Sequence, residues 1–567
     1  MKKTLSLLLA VLLTAALLPL GVRGAAPGAE QISDPTVIDT DGSDGYTGDY
    51  VVIYNPSNNP NSSATTGNMS GRIETEIEGA SAPMPVSDGN YRLDVDPEMA
   101  AVSKEMGVRR PDPAQEGARK LSFNVGDRHT FMVLYYSPLG VSVEFKVLAK
   151  GEHCYIWTPT STAQNVWPLD SIDASFAQLA ADTFDSKYDL MRASFGEHAN
   201  GSEGDGRLNI LYYNIDDGWQ PGQGYVGGYF SPYDLSINDM PMLHIDTYPG
   251  VHSVSTTGEV TEDMTRSFST MVHEYQHLIQ FSECDYTDTW INEMMSAAAE
   301  EICFPGSSVY PRLQSWTNHR YTDIGDWADP PAETAYNPAF ELQNGFPMYG
   351  WSNDIEIDDI LVLYAQVSLF AQYIYSRAGN STFRSIMQGM KNGREFPSMC
   401  NTLFGMSDSD FIRNFRIALT ANTSPEENGG IYSFSMQEGY DPSGYYDVAN
   451  LYSLLCPVVF TGNSCSVKGG GAICVKPVGG VYTPPSNASS NLRYIGVTRN
   501  PVSQEHRPGD VDMNGTVNSA DALIALRAAL GSMTLTQAQF ELADMDGNGV
   551  IDSRDALIIL RMALGLR

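Results

Sequence analysis

Residues 264–281 read MTRSFSTMVHEYQHLIQF, and the apolar side chains Phe268, Met271, Val272, Tyr275, Leu278 and Ile279 return every three or four positions. That period predicts a buried amphipathic helix. Within it His273, Glu274, Tyr275, Gln276 and His277 spell H-E-x-x-H. Residues four apart stack on one helical face, so the two imidazoles can converge on a single zinc ion. Glu274 lies one step around the helix, placed to take the proton of a zinc-activated water and to pass it to a leaving amine as general base.

A catalytic zinc normally keeps three protein ligands and one open position, so a third ligand is required. In a metzincin it would be a His six residues after His277, with Gly at the third; those positions hold Glu283 and Gln280. Further on, a second helix is predicted over 290–302, capped by Asp288 or Thr289. It opens on Trp290-Ile291-Asn292-Glu293, and Glu293 is the expected third ligand. Glu300 and Glu301 compete for that role, Glu300 lying two helical turns along the same face.

Outward from these helices the order is that of an α+β unit. An amphipathic helix is expected over 172–195, with Phe176, Leu179, Phe184, Tyr188 and Met191 near helical spacing. Strand-like LNILYYNI (208–215) follows, then a bend holding Gly224, Gly227 and Gly228, then MPMLHID (240–246), and a third helix over 360–376. Upstream, KLSFNV, TFMVLYY and VSVEFKVL predict a small β-rich domain ending near 160, while 25–117 is loop-heavy, with a pro-segment as one reading. Downstream, CPVVFTG and GGAICVKPV predict a small β subdomain, followed by PPSNASSN as a linker. The expected architecture is therefore multidomain, with boundaries at 1–25, 26–165, 166–421, 422–503 and 504–567.

The chain has 567 residues, enough for several domains, and 42% apolar with 18% charged residues exclude disorder as its main state. Lys plus Arg is 34 against Asp plus Glu 68, a formal net charge of -34, which disfavours nucleic acid and anionic membrane surfaces as partners. Residues 1–25 carry Lys2 and Lys3, an apolar run from Leu5 to Leu20 and small residues around Ala25, the pattern of a secretory signal peptide rather than a span. The mature protein is expected outside the cell. Seven cysteines are too few for a disulfide scaffold; Cys284 with Cys303, and Cys456 with Cys465 or Cys474, are spaced to pair, and the sequence does not choose among them.

H-E-x-x-H followed by W-x-N-E resembles the gluzincin metallopeptidases. The longer text GYVGGYF, MLHID, MVHEYQHLIQ, WINEMMSAAAE and YAQVSLFAQYIY is similar to the hyicolysin-type secreted peptidases, over roughly Asp170 to Asn422. The resemblance implies a two-lobed zincin fold, one catalytic zinc and hydrolysis of polypeptide substrates. The fifteen residues between His277 and Glu293 are a shorter spacing than in thermolysin. Tyr364 resembles the tyrosine that some gluzincin aminopeptidases place as donor to the oxyanion, and it also fits a core stripe with Val367, Phe370 and Ala371. The G-x-M-E-N signature that binds a free amino terminus is absent, which favours an endopeptidase, and no G-x-S-x-G serine elbow occurs.

Two segments near the carboxyl end repeat at a period of about 34. Asp510 to Asp521 reads DVDMNGTVNSAD and Asp544 to Asp555 reads DMDGNGVIDSRD. Oxygen ligands fall at loop positions 1, 3, 5, 9 and 12 with Gly at 6: Asp510, Asp512, Asn514, Asn518 and Asp521 in one, Asp544, Asp546, Asn548, Asp552 and Asp555 in the other. Thr516 and Val550 stand at position 7, which ligates through its carbonyl. Each loop runs into a helix, DALIALRAAL or DALIILRMAL. Two calcium ions are expected. The pair resembles a type I dockerin over Pro508 to Arg567, which implies an all-α calcium-folded module binding a cohesin domain of a cellulosome-like scaffold. Ser519, Ala520, Ser553 and Arg554 match the positions that set partner choice.

The expected function is a secreted zinc endopeptidase attached to a scaffold through its dockerin. Its rivals are a non-catalytic zincin-fold component of the same scaffold and a carbohydrate-active enzyme, for which no carboxylate pair stands out.

Overall fold

The computed structural model describes residues 36–75, 91–93, 120–133, 141–160, 171–218, 224–254, 260–262, 264–284, 288–309, 347–351, 357–421, 423, 427–435, 459–498, 508–511, 517, 519–530, 533, 535 and 537–563. The expected signal peptide at 1–25 lies outside them, as do Asp512, Asn514, Thr516, Asn518 and Cys456. The chain is multidomain and mixed α/β. One unit spans Val37–Asp441 with Leu454–Arg499, and another includes Asn500–Arg567.

Ten strands of the larger unit matter for the site: β1 (Val37–Asp39), β2 (Tyr50–Tyr54), β3 (Arg128–Val133), β4 (Val141–Lys150), β5 (Cys154–Pro159), β6 (Leu208–Tyr213), β7 (Gly228–Tyr229), β8 (Met242–Asp246), β9 (Ala472–Val475) and β10 (Arg493–Thr498). Six of them form one sheet in the order β7-β8-β6-β5-β4-β3. Its centre is parallel, β5 to β6 to β8, and its flanks are antiparallel. Every residue of β5, β6 and β8 is buried, as expected where a sheet is covered on both faces. The strands over 128–159, expected as a domain of their own, thus share a sheet with 208–246. The reason is a crossover that the sequence does not advertise: helix α1 (Ala174–Ser194), capped by Asp173 accepting from the Phe176 N–H, returns the chain parallel to β5. Phe176, Phe184, Tyr188 and Met191 are buried on it, whereas Leu179 faces outward at 45% exposure.

The second sheet joins the two ends of the unit. Its order is β1-β10-β2-β9, and all its pairings are antiparallel. The segment around β2, expected to be loop, holds the five-residue apolar run YVVIY; Val51, Val52 and Ile53 are fully buried. Each such side chain contributes roughly 1.5–3 kcal/mol by burial, so this strand is an anchor of the unit. PPSNASSN, expected as a linker, is an ordered turn in which Ser489 N–H donates to Thr65 O, and β10 follows it.

Helices α2 (Met264–Glu283), α3 (Thr289–Cys303), α4 (Ile357–Ala378), α5 (Ser381–Lys391), α6 (Phe396–Phe404) and α7 (Asp408–Ala421) complete this unit. Helix α2 packs on β8 and β7, α3 on α2, and α4 on α3. Asp288 stands at the N-cap of α3, without a side-chain capping bond. Helix α7 packs on β2 and β10, and its buried Arg416 donates to Gly470 O at 2.9 Å and to Gln366 Oε1 of α4 at 2.8 Å. Contacts thus run from the chain-end sheet through α7 and α4 to the helix that carries Glu293.

The six described cysteines, Cys154, Cys284, Cys303, Cys400, Cys465 and Cys474, form no disulfide with one another. The Cys284–Cys303 pairing is therefore not made, while Cys456, the expected partner of Cys465 or Cys474, lies outside the described residues. Cys284 Sγ instead meets Met387 O at 3.7 Å on α5. No helix among the described residues is long and apolar enough to cross a membrane.

In the carboxyl-terminal unit, α8 (Ser519–Ala529) packs on α10 (Ser553–Ala563), with α9 (Gln537–Ala543) between them in sequence. Val511, Ile524, Ala525, Ala543 and Ile559 form its small core.

Candidate metal centre

Helix α2 presents His273, Glu274 and His277 as a group whose ligand atoms all lie within 4.8 Å of one another, every residue buried. The imidazoles stand edge to face, their centroids 4.7 Å apart. Opposite them, α3 brings Glu293. Its Oε2 is 3.3 Å from His273 Nε2 and its Oε1 is 3.7 Å from His277 Nε2. Two imidazole nitrogens from one helix therefore face a carboxylate from the next, the donor set of a three-ligand zinc site.

The far edge of the His273 ring is held from behind. His273 Nδ1 lies 2.7 Å from Glu300 Oε1, with both side chains fully buried. A carboxylate only accepts, so Nδ1 carries the hydrogen, and Nε2 is the nitrogen turned to Glu293. Glu300, a rival for the third ligand by sequence, sits on the wrong edge of the ring for that role. Glu301 is turned away: its carboxylate accepts the Gly306, Ser308 and Val309 N–H groups and caps the turn after α3. Burial pushes its pKa up, against those three hydrogen bonds. On the other ring, Ser296 Oγ lies 3.0 Å from His277 Nδ1 and donates to Gln276 Oε1 at 2.6 Å. Ser296 and Gln276 escaped the sequence reading. Their one signal was position, Ser296 one turn after Glu293 and Gln276 beside His277.

Tyr364, on α4, is buried with its ring edge-on to Trp351 at 5.0 Å, and Val367, Phe370 and Ala371 are buried with it, as its core stripe predicts. His244, in the MLHID strand, belongs elsewhere: it lies 2.9 Å from Asp234 and stacks on its cross-strand partner Tyr229 at 4.2 Å. That stack fixes β7, the sheet-edge strand against α2. At Gly228 of this strand any Cβ would fall 2.7 Å from Thr270 Cγ2, so the helix and strand touch through a residue that must stay bare. Thr270 is one turn before Glu274, which puts the edge strand alongside the cluster.

In the carboxyl-terminal unit, Asp544, Asp546 and Asp555 bring carboxylate oxygens within 4.8 Å of one another. Asp544 also accepts the Asn548 and Gly549 N–H groups, and Asp555 those of Met545 and Asp552. Gly549, at loop position 6, has φ +78°, the left-handed turn that favours glycine. Of the first loop, Asp510 and Asp521 are described and buried. Val550, Ser519, Ser553 and Arg554 are exposed; Arg554 lies 3.3 Å from Asp546.

Comparison with known proteins gives two findings. Residues 508–563 match the family described as Dockerin type I domain. The neutral metalloprotease ShpI of Staphylococcus hyicus is 28% identical over 313 residues, covering 52% of this chain and 64% of that protein. The chain thus spans somewhat less than two thirds of the relative it matches, and joins a metalloprotease-like region to a carboxyl-terminal dockerin domain.

Proposed function

We propose that the chain is a zinc-dependent endopeptidase of the two-lobed zincin kind, secreted and attached to a cohesin-bearing scaffold through its dockerin. One observation carries this: two imidazole Nε2 atoms from α2 face the Glu293 carboxylate at 3.3 and 3.7 Å, with Glu274 buried in the same cluster. His273, His277 and Glu293 would hold the ion. Zinc held there would supply Lewis acidity, lowering the pKa of a water toward about 7. Glu274 accepts the proton lost by the attacking water and delivers it to the amide nitrogen as the C–N bond breaks. Glu300 holds the His273 ring, and Tyr364 is the proposed donor to the oxyanion.

Asp544, Asp546 and Asp555, with the matching residues of the first loop, would hold two calcium ions and so fold the dockerin. Ser519, Ala520, Ser553 and Arg554 are the proposed cohesin-facing positions. The test is casein hydrolysis by the mature protein before and after zinc removal with a chelator. Activity lost on removal and restored by zinc supports the proposal; zinc bound with no hydrolysis favours the non-catalytic scaffold component. Cohesin capture should be abolished by calcium chelation.

A further inference from the structure

The amino-terminal strands form the interior of a sheet of the larger unit, not a layer laid on its surface. In the order β1-β10-β2-β9, strand β2 lies between β9 and β10 and pairs with both. Neighbouring strands stand about 4.8 Å apart, so without β2 the other two would face each other across a gap one strand wide, each with a row of unmet backbone groups. Val51, Val52 and Ile53 of β2 are fully buried. The rest of 36–75 follows the same pattern: β1 pairs with β10, Tyr46–Thr47 with Val481–Tyr482, and Ser63–Thr65 with Ser466–Lys468. Near its end the Glu74 N–H donates to Lys476 O at 2.8 Å, and the two side chains form an ion pair at 2.7 Å.

The segment also reaches the helices. Just past β2, the buried Asn55 donates its N–H to Gly471 O at 3.0 Å, accepts from the Gly470 N–H at 2.9 Å, and donates from its side chain to Val467 O at 3.1 Å. The Gly470 carbonyl in turn accepts from Arg416 of α7, whose guanidinium also holds Gln366 of α4. A pro-segment that is shed must leave a closed structure behind. Here its departure would open a sheet and free the turn on which Arg416 rests. We propose that residues 36–75 are a permanent part of the folded unit, so that maturation by a cut between Thr75 and Lys120 yields a two-chain protein in which the amino-terminal piece stays bound, as a donated strand completes a sheet. That retention is independent of what the metal centre does.

The experiment places a recognition site for a sequence-specific protease between Thr75 and Tyr91 of the full-length protein, cuts there, confirms the cut on a denaturing gel and passes the product through size exclusion. In native buffer the two pieces should elute together, and in guanidinium they should separate. Release of the amino-terminal piece in native buffer overturns the proposal whether or not the remainder stays folded. Peptide mapping of the mature protein purified from its source gives a second readout. Peptides from 36–75 should be recovered in the same amount as peptides from α2, and a folded mature protein that lacks them overturns the proposal as well. Neither readout depends on zinc or on hydrolysis, so failure of the peptidase reading would leave both interpretable.

Discussion

Replacing Glu300 by Gln separates a ligand from a residue that orients one. The Glu300 carboxylate accepts from His273 Nδ1 at 2.7 Å, fully buried, while Glu293 stands at the Nε2 edges of both rings. Glu300→Gln keeps the shape and one oxygen acceptor but removes the charge. A hydrogen bond to a buried charged group contributes about 1.5–3 kcal/mol, and loss of such a partner behind a ligating histidine typically weakens metal binding by about 10- to 100-fold. Those figures agree, since a tenfold change is about 1.4 kcal/mol. Glu293→Gln replaces an oxygen of the proposed third ligand and should weaken binding by more. The assay is zinc titration against a chelating fluorophore at fixed pH, with both variants beside the parent. The predicted order is parent, Glu300→Gln, Glu293→Gln, from tight to weak. Glu300→Gln weaker than Glu293→Gln would make Glu300 the ligand and refute the assignment.

Asp246 gives a pH dependence of known sign. Burial, reinforced by the Asp217 charge, pushes its carboxyl to about 7 despite the Ile215 and Gly250 N–H groups that it accepts. The folded state therefore holds this proton more tightly than the unfolded chain, and stability falls as pH rises from about 4 to about 7, by up to about 1.4 kcal/mol per pH unit from this one group. Denaturant titrations at several pH values check it, and Asp246→Asn should flatten that slope. Thiol titration should find Cys465, the half-buried one, reacting first among the six described cysteines, with the buried five reacting only in denaturant; Ellman's reagent consuming all of them in the native protein would contradict the packing. Tyr364→Phe should lower kcat by about 100-fold with zinc content unchanged if its hydroxyl serves the oxyanion, and a kcat within twofold of the parent would return Tyr364 to the core alone.

The helix of His273, Glu274 and His277 was legible because its evidence is local: a period and a four-residue spacing. Glu293 was legible as a carboxylate early in the next helix, and the structure places it opposite the two imidazoles. What Glu300 does was not, since it depends on which edge of an imidazole it meets across two packed helices. The chain-end sheet was hidden for a different reason. Strand β2 pairs with β9 and β10, more than 400 residues away in the chain, and its short apolar run is surrounded by Asp, Asn, Ser and Gly that read as loop. The crossover through α1, which joins 128–159 to 208–246 in one sheet, is likewise a matter of long-range pairing. Local signals place chemistry on elements; tertiary contacts decide how the elements share sheets and which side chains stand behind the imidazoles.

The most direct test of the central claim compares casein hydrolysis by the mature protein with that of Glu274→Gln, zinc content being determined for both. The prediction is hydrolysis by the first, its loss in the second and equal zinc in each. Hydrolysis that survives Glu274→Gln would contradict the assignment of Glu274 as the base, and zinc without hydrolysis in either protein would contradict the peptidase itself.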